Sequence, residues 1–107
     1  MISHLGRPKN EKDKIFSLKP VFYYLKEKIK NKIYFYSEKI VNETKDKISF
    51  LKSGEIVFFE NIRFNGGEIE NDNNFAKILS SLGDIYINDA FSCSHREQTS
   101  IHKVTKY

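Results

Sequence analysis

Residues 54–64 read Gly-Glu-Ile-Val-Phe-Phe-Glu-Asn-Ile-Arg-Phe, a short β-rich run that empties into a polar loop ending on an arginine. The run Glu55–Phe59 is dense in Ile, Val and Phe without strict alternation, which fits a strand covered on both faces. Two further runs share this character: Lys32–Tyr36 (KIYFY) and Asp84–Asn88 (DIYIN). Between them the period becomes helical. Leu18, Val21, Phe22, Leu25 and Ile29 recur at three- and four-residue steps, with Ser17 as the expected N-cap and Pro20 in the first turn. Phe75, Ile78, Leu79 and Leu82 form a second stripe, opened by Asn71 or Asp72 and closed by Gly83. Val41, Thr44, Ile48 and Leu51 make a weaker one between Ile40 and Leu51.

Strand and helix therefore alternate, starting from a clipped strand at Met1–Ser3. Alternation of this kind predicts right-handed crossovers in a parallel sheet. The expected fold class is α/β, a Rossmann-like three-layer αβα arrangement with helices on both faces of the sheet. Met1 opens inside what should be a central strand, and Ile101–Tyr107 stops without completing another, so the fold is expected to be truncated at both ends.

At 107 residues and 39% apolar, the chain is one small domain at most. It contains no apolar run long enough for a membrane span and no leader pattern. Cys93 stands alone, which excludes an internal disulfide and a multi-cysteine zinc site and fits a reducing compartment, the cytoplasm. Eighteen cations against fourteen acids leave +4, a balance compatible with nucleic acid, an anionic membrane or a small phosphorylated ligand. Most lysines read as solvated helix faces. Heavy use of Lys, Ile and Asn with only two Ala also fits A·T-rich coding.

Only three of the eighteen cations are arginines, and each follows a strand-like run: Arg7, Arg63 and Arg96. Arginine's planar fork grips phosphate or carboxylate in two places, whereas lysine is a mobile point charge. In open parallel sheets ligands bind beyond the carboxyl ends of the strands, where all three loops are expected. His4 and Arg7 bracket Leu5-Gly6, and Gly6 permits close backbone approach to a ligand or positive φ, with Pro8 stiffening the exit. A plain Gly-Arg-Pro turn explains the same spacing. Arg63 either reaches a ligand, with Glu60 or Asn61 fixing its geometry, or closes the loop in an Arg–Glu pair. Asn65-Gly66-Gly67-Glu68 has neither Walker nor G-x-G-x-x-G spacing. Ser92-Cys93-Ser94-His95-Arg96 offers an oxyanion-binding rim. Cys93 reads as a small filler rather than a nucleophile. His4, His95 and His102 lack metal-ligand spacing, and Asp89 with His95 lacks the context of a catalytic triad.

Together, SHLGRP (Ser3–Pro8), SLKPV (Ser17–Val21), GEIVFFENIRF (Gly54–Phe64), ENDNNFAKILSSLGDIYINDAF (Glu70–Phe91) and SCSHR (Ser92–Arg96) resemble phosphoglycerate kinase in order and spacing. The resemblance implies that residues 1–107 are part of the N-terminal, 3-phosphoglycerate-binding domain, with the C-terminal nucleotide-binding domain absent. The intact enzyme moves a phosphoryl group reversibly between 1,3-bisphosphoglycerate and ADP, giving 3-phosphoglycerate and ATP in glycolysis. Carried over by position, His4, Leu5, Gly6, Arg7, Arg63 and Arg96 are the substrate-binding residues, and no catalytic, cofactor or metal residue is assignable. Mg-ATP or Mg-ADP belongs to the intact family enzyme, with none bound by this chain.

Two departures accompany the resemblance. Glu97 and Gln98 stand where the family usually has Ala-His, which adds a negative charge and removes a basic group, so weaker anion binding is expected. The family's opening strand, with its Arg-x-Asp-x-Asn signature, is expected before Met1. The expected partners are 3-phosphoglycerate or 1,3-bisphosphoglycerate and the missing parts of the enzyme in trans, with no nucleic acid and no membrane. The chain by itself is expected to be inactive. The alternatives are a non-catalytic anion- or RNA-binding module and a non-functional gene remnant. The RNA reading is disfavoured because most aromatic rings are expected in strand cores or on the apolar helix stripe.

Overall fold

The computed structural model describes residues 1–107 and divides them into two units, Met1–Lys39 with Asp46–Asn65, and Ile40–Lys45 with Gly66–Tyr107.

In the first unit, helix α1 (Lys19–Lys28) precedes strand β1 (Ile33–Tyr36), which pairs in parallel with β2 (Ile56–Phe59). The register sets Ile33 beside Ile56 and Phe35 beside Phe58. Side chains alternate across a strand, so these four share one face. Leu18, Phe22, Ile33 and Phe58 form the core there, with Leu25 and Ile29 of the same helical stripe packed against it. The Phe22 and Phe35 rings lie 5.2 Å apart. Tyr34, Tyr36, Val57 and Phe59 occupy the other face, where Tyr36 and Phe59 pack at 5.3 Å and Phe50 meets Tyr34 edge-on. The parallel α/β class is as expected, and so is the lack of strict alternation, since the adjacent Phe58 and Phe59 are both buried.

Met1–Ser3 carries no strand of its own, yet it extends the sheet's hydrogen bonding. The Met1 amine donates to the Val57 carbonyl at 2.6 Å, and the Phe59 N–H donates back to Met1 at 3.0 Å. This one-to-two exchange is the parallel pattern. The Ile62 N–H continues it onto Ser3 at 3.1 Å.

The second unit contains two helices, α3 (Gly66–Ile69) and α4 (Asn73–Ser80), and a 3₁₀ turn at Lys103–Lys106. Asp72 caps α4, its carboxylate accepting from the Phe75 N–H at 2.7 Å. Phe75, Ala76, Leu79 and Val104 are buried.

Three expectations need correction. Asp84–Asn88 is not a strand. Ile85 and Ile87 are 85% and 83% exposed and the run has no ladder, because β-propensity yields a strand only where a neighbouring edge takes up the backbone groups. The expected helix between Ile40 and Leu51 shrinks to one turn, α2 (Thr44–Lys47), and Val41 is exposed. The buried Thr44 hydroxyl accepts from the Val41 N–H at 2.9 Å, a local bond that favours a turn over continued helix. Ser17 lies one residue before the α1 cap position, which falls on Leu18.

Candidate functional site

The loop after β2 is built around Asn61, which is fully buried. Its amide nitrogen donates to the carbonyls of Leu5 and Phe16, both at 2.8 Å, and its oxygen accepts from the Arg63 N–H at 3.1 Å. One side chain thus fastens the Ser3–Pro8 loop to the strand end that delivers Arg63. A buried amide with all of these bonds made is a strong positional constraint, since leaving any of them unmade costs about 1–3 kcal/mol.

Arg63 sits in the 3₁₀ turn Ile62–Phe64 and is only 7% exposed. Its Nη1 donates to the Gly6 carbonyl at 2.5 Å. Gly6 has φ +59°, and a Cβ there would stand 2.4 Å from two ring carbons of Phe16. Of the two alternatives expected for Gly6, positive φ is found, and the group packed against it is Phe16 of the same chain. Arg7 follows directly and is exposed, as is Leu5, while His4 is half-buried.

Of the two residues expected to fix Arg63, Asn61 accepts directly from the Arg63 N–H and Glu60 accepts from the N–H of Asn61. The Glu60 carboxylate accepts from the Ser17 hydroxyl at 2.6 Å, the Leu18 N–H at 2.7 Å and the Asn61 N–H at 2.8 Å. It thereby ties the β2 end to the start of α1, where a negative charge is favoured by the helix dipole. The polar cavity beside it is lined by Glu11, Lys14, Glu38, Lys39 and Phe64 among others, and holds about 110 Å³. Lys39 pairs with Glu11 at 3.3 Å, and Lys14 lies 5.8 Å from the Phe64 ring centre.

His4, Leu5, Gly6, Arg7 and Arg63 are thus drawn together in the first unit. Arg96 belongs to the second, half-buried just after the 3₁₀ turn Phe91–Cys93, its N–H donating to the Cys93 carbonyl at 2.9 Å. The Asn88 amide donates to the Ser94 hydroxyl at 3.2 Å, while Ser92 and Ser94 are exposed. Glu97 is exposed and Gln98 half-buried.

The second unit also has an anchor that sequence reasoning missed. Glu68 is 1% exposed and accepts from the Ser100 N–H at 2.9 Å and the Ser100 hydroxyl at 2.6 Å. Buried Thr99 adds a bond from its hydroxyl to the Gly67 carbonyl at 2.6 Å. The only signal in the sequence was a Gly-Gly-Glu that matched no phosphate loop. No group of three or more His, Cys, Asp or Glu stands together to hold a metal ion. No helix is long and apolar enough to cross a membrane.

Comparison with known proteins gives one answer. The family profile described as phosphoglycerate kinase matches residues 1–107. The chain is 45% identical over 107 residues to the phosphoglycerate kinase of Wolbachia sp. subsp. Drosophila simulans, covering all of this chain and 27% of that protein. It is 48% identical over 101 residues to that of Orientia tsutsugamushi, covering 94% of this chain and 25% of the relative. The phosphoglycerate kinase structure from Coxiella burnetii superposes with a TM-score of 0.82 at 37% identity, over 99% of this chain and 26% of that one. The chain spans about a quarter of the length of the relatives it matches. With its whole length matched by the family and its fold shared with a solved member, the chain belongs to the phosphoglycerate kinase family.

Proposed function

We propose that this chain is part of the N-terminal domain of a phosphoglycerate kinase and carries part of its 3-phosphoglycerate site, formed by His4, Leu5, Gly6, Arg7, Arg63 and Arg96. The observation that carries this reading is the Arg63–Gly6 bond, which spends a buried guanidinium nitrogen on shaping the loop that exposes Arg7. Arg63 in this role is both a brace and a source of positive potential, while Arg7 offers its fork to the anion. Phosphoryl transfer depends mainly on positioning and on neutralising charge on the equatorial oxygens, and a pre-shaped basic loop serves both. Bound Mg-nucleotide supplies the phosphoryl acceptor and the charge neutralisation at the transferred group. No residue of this chain is assigned to it. Turnover therefore requires sequence beyond these 107 residues, and the reaction is placed in the cytoplasm as part of the same reading.

The test is titration of the chain with 3-phosphoglycerate, following the backbone amides of Gly6, Arg63 and Arg96. Saturable shifts at all three are expected, and they should vanish in Arg7→Gln. Absence of any shift at millimolar ligand refutes the reading. No ATP should form from 1,3-bisphosphoglycerate and ADP with this chain alone, and activity should appear when the remainder of a relative is supplied in trans.

A further inference from the structure

Helix α1 and the turn that follows it concentrate the charge of the molecule. Residues 19–32 contain five lysines against a single acid, Glu27, a net +4 that equals the charge of the whole chain; the other 93 residues carry thirteen charges of each sign. All five lysines are exposed. Tyr23 and Tyr24 lie among them, 53% and 62% exposed, so the expectation that the rings belong to the core fails at the most basic part of the chain.

Helical spacing joins each ring to cations. Lys19 and Lys26 lie four residues before and three after Tyr23, on the same helix flank. Lys28 lies four after Tyr24, its Nζ 5.6 Å from the ring centre. Exposed aromatic faces set between mobile cations are what a flexible polyanion with stackable rings requires. A lipid surface fits less well, because an in-plane helix must insert its apolar face. The apolar face of α1, Leu18, Phe22 and Leu25, is already spent on the core of its own unit.

We propose that the outer face of α1 binds single-stranded nucleic acid, with Tyr23 and Tyr24 stacking on bases and the surrounding lysines tracking the phosphates. The contact is sequence-tolerant, because every base has a π-face and lysine reads charge rather than base edges. It uses none of the residues proposed for 3-phosphoglycerate, so the two sites should fill independently.

The test is fluorescence anisotropy of a labelled twelve-residue oligouridine with the full chain at several salt concentrations. Binding should weaken linearly on a log–log salt plot, and Lys26→Gln and Lys28→Gln should each reduce the slope by about 0.7. Tyr23→Ala and Tyr24→Ala should each weaken binding roughly tenfold. Tyr23→Leu and Tyr24→Leu, which keep apolar bulk and favour helix, should do the same if the alanine variants fold poorly. Lys45→Gln with Lys106→Gln removes equal charge elsewhere and should leave stacking intact. Leucine variants that bind like the original chain overturn the proposal. So does displacement of the oligonucleotide by excess 3-phosphoglycerate, or binding to phosphatidylglycerol vesicles without binding to oligouridine.

Discussion

Replacing Gly6 with alanine tests the geometry of the arginine loop at its tightest point. Two costs arise there. A non-glycine residue at φ +59° incurs roughly 1–2 kcal/mol from its Cβ and the following carbonyl. The new methyl also starts 2.4 Å from Phe16 Cδ1 and Cε1, and the ring must move, at about 1–3 kcal/mol by analogy with overpacked cores. Alanine also restricts the unfolded chain, which returns about 0.4–1 kcal/mol. The net expectation is a loss of about 1–5 kcal/mol, a sizeable share of the roughly 5–15 kcal/mol typical of a native protein. With a urea slope of about 1.5 kcal/mol/M, the unfolding midpoint followed by far-UV circular dichroism should fall by about 1–3 M. Gly66→Ala is the internal control. Gly66 has ordinary backbone angles and nothing within 4 Å of a built Cβ, and it lies in α3, so alanine should be neutral or stabilise by about 0.5–1 kcal/mol. If the two substitutions shift the midpoint by the same amount, the strain-and-clash account of Gly6 is wrong.

Three further outcomes are expected. Asp72→Ala removes the carboxylate that accepts from the Phe75 N–H, and should cost about 1 kcal/mol, read as a fall in the thermal midpoint of about 4–8 °C. Glu60→Ala strips acceptors from Ser17, Leu18 and Asn61 at once, and should cost about 2–4 kcal/mol in a urea titration, with the amide signals of Leu18 and Asn61 moving most. Glu55 should titrate below its ordinary value of 4.5, first because the Lys52 N–H donates to it and then because Lys32 and Tyr34 lie near. A carboxyl depressed in the fold gives stability that is present above 4.5 and lost as pH falls through the lower folded value. Carboxyl-carbon NMR of Lys32→Gln should find it still depressed, and a return to the ordinary value would show that the charge pair, rather than the backbone donor, holds it down.

Much of this was legible before any coordinates, and the reasons differ by element. The α1 stripe was readable because Leu18, Phe22, Leu25 and Ile29 face a core that the same unit supplies in Ile33 and Phe58. Asp72 was readable as a cap because the capping bond is local. Asp84–Asn88 was misread for the opposite reason. Its composition is that of a strand, but a strand is a relation between two backbones, and no other backbone pairs with this one. Exposed Ile85 and Ile87 therefore mark where composition and pairing part company.

The arginine loop shows the same division within a single site. That the loops of Arg7 and Arg63 come together could be inferred from their placement after strand-like runs, and positive φ was one of two readings of Gly6. What no spacing rule could supply was the order of dependence among them. Arg63 is buried and bonded to Gly6, Gly6 is shaped against Phe16, and Asn61 binds the carbonyls of Leu5 and Phe16 while accepting from Arg63. Each of these contacts except the last joins residues ten or more apart in the chain, and the three that Arg63 and Asn61 make with Gly6, Leu5 and Phe16 depend on the β2 end being where the sheet register puts it. A substitution at Asn61 should therefore act on Arg7 without touching it: Asn61→Asp keeps the acceptor for the Arg63 N–H but loses the donors to both carbonyls. It should release the Ser3–Pro8 loop and weaken 3-phosphoglycerate binding while β1 and β2 stay paired. Hydrogen exchange separates the two regions, with protection lost at Ile62, whose N–H bonds Ser3, and retained at Ile56, whose N–H bonds Lys32. Equal loss at both would mean that the loop and the sheet are one cooperative element and that Asn61 is not the clasp between them.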